Sequence, residues 1–138
     1  VLRVHTRLVP PELLAGWLTL FRLWPCCGTV HTYMSEGHIH PALATEITRL
    51  AEQISVSANL VALTKPRTTP ALNVRYHRVR NLPEGKIAVA EVDAATDTAH
   101  FRVAADMITK EMADALAVHA TRVCHQLAPA HKLAPELQ

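Results

Sequence analysis

Glycine is scarce in this chain, with 4 in 138 residues, and no G-x-G-x-x-G, P-loop or Asp-rich run occurs. Nucleotide cradles that rely on glycine for close backbone approach to phosphate have no motif support, so no nucleotide cofactor is implied. Aromatic residues make up only 4%, which argues against surfaces that stack nucleic-acid bases on rings. Three cysteines, an odd number with Cys26 and Cys27 adjacent, do not form a disulfide framework, so a reduced cytoplasmic setting is expected. The most apolar run, Leu13 to Trp24, is short and contains Arg22, whereas a bilayer span needs about 20 apolar residues. The opening VLRVHTRLVPPELL lacks a basic region followed by an apolar stretch and a cleavage site. The expectation is a protein that does not enter membranes. Charge of one sign is lacking too: 14 Lys+Arg stand against 12 Asp+Glu, a net +2, too little to indicate nucleic acid.

What is present is an apolar fraction of 49% in 138 residues, enough for one domain with its own core. Ala, Val and Leu must fill that core. Nine histidines add positive charge as pH falls toward 6, since imidazole ordinarily titrates near 6.5.

Residues 2–9, LRVHTRLV, alternate with period two and predict a strand. Pro10-Pro11 then suits a first helical turn, and 11–24 reads as a helix apolar nearly all round. Such a helix is covered on more than one side, which predicts a homodimer or higher oligomer built through it. A second strand is predicted over 28–35 and a helix from Pro41 to about Ser55. A buried third strand follows over 56–64, then the Pro-rich loop 65–71 and a fourth strand over 72–79. Segments 86–93 and 98–105 predict an antiparallel hairpin. A last helix runs from about Thr109 to Leu127. Only a short echo, RVHTRL and TVHTYM, hints at repetition. The order β-α-β-α-β-β-β-β-α predicts an α+β two-layer sandwich. Its mixed, mainly antiparallel sheet carries helices on one face. Residues 1–128 form the single domain, and 129–138 a loose tail.

Four histidines fall in the middle of predicted strands: His5, His31, His77 and His100. Strand alternation puts Arg3, His5 and Arg7 on one face, and Thr29, His31 and Tyr33 on one face. Arg75 joins His77, and Thr98 and Arg102 join His100, in the same way. The opposite faces are apolar. A surface lined by arginine and histidine suits carboxylates or phosphates, with imidazole as general acid or base. The expected function is therefore a small cytoplasmic enzyme or ligand-binding protein for a small anionic metabolite. His5, His31, His77 and His100 are the candidate catalytic residues, and Arg3, Arg75, Arg102, Tyr33 and His38 the candidate ligand contacts.

The stretch WPCCGTVHTYMSEGHIHP crowds two cysteines and three histidines together. His38 and His40, two apart, could supply two metal ligands, with His31, a cysteine or Glu46 as a third. No C-x-x-C, H-x-x-x-H or H-E-x-x-H pattern supports them. Two further readings stand beside the first: an interaction module whose basic face meets nucleic acid or protein, and a small His-ligated metalloprotein.

Overall fold

The computed structural model describes residues 3–24, 29–64, 73–93 and 95–136. They form an α+β sandwich assembled from two copies of one β-β-β-α unit. The first copy comprises β1 (Arg3–Val9), β2 (Thr19–Trp24), β3 (Thr29–Ser35) and α1 (Pro41–Thr64). The second comprises β4 (Asn73–Val79), β5 (Ala88–Asp93), β6 (Thr98–Ala104) and α2 (Lys110–Glu136). Each copy makes its own three-stranded sheet, in the orders β1-β3-β2 and β4-β6-β5. In both, the first strand pairs parallel with the central third strand (β1 with β3, β4 with β6), and the second strand pairs antiparallel with it on the other side.

The duplication corrects the expected element order in three places. The predicted helix 11–24 is a short 3-10 turn, Pro11–Leu14, followed by strand β2. Ala15 and Gly16 take positive φ angles of 50° and 90°. Two left-handed residues in succession end a helical path and send the chain back as a strand. The helix through which an oligomer was expected is therefore not formed, and Leu13 and Trp17 of this segment are exposed at 73% and 59%. The third strand expected over 56–64 is instead the second half of α1. The tail expected from Pro129 continues the α2 helix to Glu136. The loop at 65–71 and the pair Cys26 and Cys27 lie outside the described residues.

Both helices start on equivalent caps. Pro41 opens α1 with a ring that needs no hydrogen-bond partner there, and His40 Nδ1 accepts the Ala42 amide at 3.0 Å. In α2 the Thr109 hydroxyl accepts the Met112 amide at 3.2 Å. The copies cross at Ile39 and Ile108, which form an antiparallel bridge. There the His40 amide donates to Met107 O at 2.7 Å and the Thr109 amide to His38 O at 2.9 Å. The exchange is reciprocal, as a local two-fold requires.

Each helix packs on both copies: α1 on β1 and β5, α2 on β4 and β2. The result is one shared core, with Leu43, Met112, Leu116, Val103 and Phe101 all 2% exposed or less. The helices also satisfy the first strand of their own sheet. The Val4 amide donates to Glu52 Oε2 at 3.0 Å, and the Val74 amide to the Thr121 hydroxyl at 2.8 Å. Glu52→Ala leaves the Val4 amide unpaired and is expected to cost about 1–2 kcal/mol by urea denaturation. Glu52→Gln, which keeps an acceptor oxygen, should cost less.

Candidate functional site

The strand histidines all point to the outward faces of the sheets, because β1, β3, β4 and β6 each turn their apolar row toward the helices. They do not form one cluster. Two sit on the first sheet and two on the second, as equivalent surfaces of the two copies.

On the first sheet, His5 and His31 are direct neighbours on parallel strands, with rings stacked at 5.3 Å between centroids. Arg22 of β2 pairs across from His31. The central outward row is therefore His5, His31, Arg22. Arg3 and Arg7 lie one step either way along β1, roughly 7 Å along the strand, with Tyr33 beside Arg7. The three arginines are exposed. No acidic side chain stands on this face, and Arg3, Arg7 and Arg22 make no ion pair among the described residues.

The second sheet repeats the design with its charge neutralised. The equivalent row is Arg75, His100, Glu91, and the next is His77, Arg102, Val89. Glu91 takes the place of Arg22 and binds Arg102 Nη1 at 2.6 Å, while Asp93 lies one step farther along β5. His77 Nε2 and His100 Nδ1 are 2.9 Å apart and share one proton, with the rings stacked at 5.2 Å. Burial, then the electrostatic influence of the neighbouring His100, Arg102 and Arg75, holds the His77 pKa below that of an ordinary histidine.

That shift has a consequence for stability. A histidine whose folded pKa is lowered binds fewer protons in the native state than in the unfolded chain. Its stabilisation is complete above the unfolded value near 6.5 and is lost as pH falls through that region. His119 on α2 acts with the same sign, through burial and then Arg122; its ring leans on Phe21 at 5.2 Å. The urea midpoint should fall on acidification from pH 7.5 to 5. His77→Gln should flatten part of that slope and His119→Gln another part.

The remaining sequence candidates lie apart from these faces. His38 Nδ1 is 2.9 Å from the Ser35 hydroxyl, and His40 Nδ1 caps α1. Glu46, a suggested third metal ligand, is held by Arg49 at 2.7 and 2.8 Å. No group of three or more His, Cys, Asp or Glu side chains is placed to hold a metal ion among the described residues. Burial raises the Cys124 thiol to about 11, so at neutral pH it is a protonated packing group rather than a nucleophile.

Arg22 is the site residue that sequence reasoning misses. Its signal is the alternation of Leu20 and Arg22 against Thr19 and Phe21, legible only once 19–24 is read as a strand. No helix among the described residues is long and apolar enough to cross a membrane. Compared with protein-family models, with curated proteins and with solved structures, the chain matches none.

Proposed function

We propose that the chain binds a small anionic metabolite, a carboxylate or phosphate, on the outward face of its first sheet. One observation carries this reading. Arg3, Arg7 and Arg22 surround the stacked His5–His31 pair with no acid on the face, whereas the equivalent face of the second copy is neutralised by Glu91 and Asp93. Guanidinium forks bind carboxylate and phosphate oxygens in pairs, and imidazoles beside them can donate to the same oxygens or move a proton. The cysteine usage suits a reducing, cytoplasmic setting.

A second reading has its own support. The His77–His100 pair, with one shared proton and a lowered His77, suits proton transfer and would make the second face the reactive one. Acid–base chemistry then belongs to that dyad, while anion capture belongs to the first sheet.

Calorimetric titration of inorganic phosphate and citrate at low salt tests the main reading. Saturable binding with a rise in melting temperature supports it. Silence toward both anions overturns it. Binding confined to DNA or RNA, falling steeply with salt, replaces it with an interaction module.

A further inference from the structure

The inward face of the first sheet leaves a space that the second sheet fills. At the middle of the second sheet the inward row is Tyr76, Phe101 and Ala90, with the two rings stacked at 4.7 Å. The equivalent row of the first sheet is Thr6, Thr32 and Phe21. Two threonines thus stand where the other copy has two aromatic rings. A cavity of about 70 Å³ opens beside them, closed on the helix side by Ile47, Ala51, Leu116 and Ala120. No charged side chain lines it among the described residues.

Its hydroxyls are not all satisfied. The Thr48 hydroxyl donates its one proton to Ala44 O at 2.8 Å. In the Thr6–Thr48 hydrogen bond Thr6 must therefore be the donor, which leaves the Thr6 oxygen able only to accept. Thr32, registered directly beside Thr6, is 2% exposed, and its hydroxyl has no hydrogen-bond partner among the described residues. A buried polar group without a partner is costly, and this one borders empty space.

We infer that the cavity is a binding site for a small neutral alcohol. Thr32 donates to the ligand oxygen, Thr6 accepts the ligand O–H, and the apolar walls take the carbon skeleton. A carboxylate or ammonium is excluded, because nothing in the lining offsets its desolvation. A pure hydrocarbon leaves Thr32 unpaired. Benzene occupies cavities of about 150 Å³, so the volume here suits a molecule of about three or four heavy atoms. This site is separate from the anion face: His5 and His31 point outward from the strands whose Thr6 and Thr32 point in.

The test is a methyl-detected NMR titration with propan-2-ol, and with acetone as the analogue that accepts but cannot donate. Expected for propan-2-ol are saturable shifts at Val30, Ile47 and Leu116, with a Kd in the millimolar range proper to so few atoms. Acetone should bind about fivefold more weakly. Thr32→Val replaces the orphan hydroxyl by a methyl of the same shape, so it should fold with equal or higher stability. It should bind propan-2-ol about tenfold more weakly. Ala120→Leu, which fills the space, should abolish the shifts with the fold retained. Shifts that never saturate, or unchanged affinity in Thr32→Val, overturn the inference.

Discussion

Leu43→Ala is expected to lower the unfolding free energy by about 2–5 kcal/mol, the largest effect of any single truncation considered for this chain. Leu43 is fully buried, at 0% exposure, in the first turns of α1. Its equivalent in the second copy, Met112, is buried to the same degree, and both belong to the core shared by the two sheets. Truncation removes the transfer energy of the lost carbons and leaves a void that two crossing helices cannot close. A domain of this size is stable by about 5–15 kcal/mol in total, so the variant should unfold at a markedly lower urea midpoint. Leu13→Ala is the matching control. Leu13 is 73% exposed in the turn before β2, and its truncation should change stability by no more than about 0.5 kcal/mol. Comparable losses at the two positions would mean that 11–24 is packed, as its apolar sequence suggests, and would refute the strand assignment.

The second large effect concerns the proposed anion face. Arg22→Glu gives the row His5, His31, Arg22 the carboxylate that Glu91 supplies in the equivalent row of the second sheet, Arg75, His100, Glu91. The change removes a guanidinium fork and installs a carboxylate that competes for Arg3 and Arg7. Phosphate affinity should fall about 10- to 100-fold, as expected for losing a charge-assisted pair and gaining a repulsive group. Arg22 is exposed, so the melting temperature should barely move. Glu91→Arg is the reciprocal change: it releases Arg102 from its 2.6 Å contact and should raise the phosphate affinity of the second face. Calorimetry on the two variants reads both effects. Unchanged phosphate binding in Arg22→Glu would place the anion elsewhere, whatever the wild-type titration shows.

The outward histidines are legible in the sequence because strand alternation is a local property. Each of His5, His31, His77 and His100 follows directly on an apolar or aromatic residue of the inward row (Val4, Val30, Tyr76, Ala99), and the period of two leaves the ring only one side to face. Arg3, Arg75, Arg102 and Tyr33 follow by the same rule. Arg22 does not, because a short run such as LTLFRLW satisfies both a buried helix and a strand. Periodicity alone does not separate the two. The same ambiguity turns 56–64, an apolar run with no turn signal before it, from an expected strand into the end of α1.

The duplication is hidden for a different reason. Equivalent positions share burial, not identity: His40 and Thr109 both cap a helix, Glu52 and Thr121 both accept a strand amide, and Leu43 and Met112 both fill the core. Matching residue types would reveal a repeat; matching roles reveal one only when the partners are in place.

The sequence by itself determined the class of fold, the strand hairpin of the second half and the outward turn of the histidines, since each depends on spacing within a few residues. Only the tertiary structure decided that the Arg/His rows belong to two separate sheets, that Arg22 joins one and Glu91 neutralises the other, and that two threonines border a cavity. Those facts depend on which strand lies beside which, and pairing across 20 residues or more is set by the packing of both helices on both sheets rather than by any local pattern.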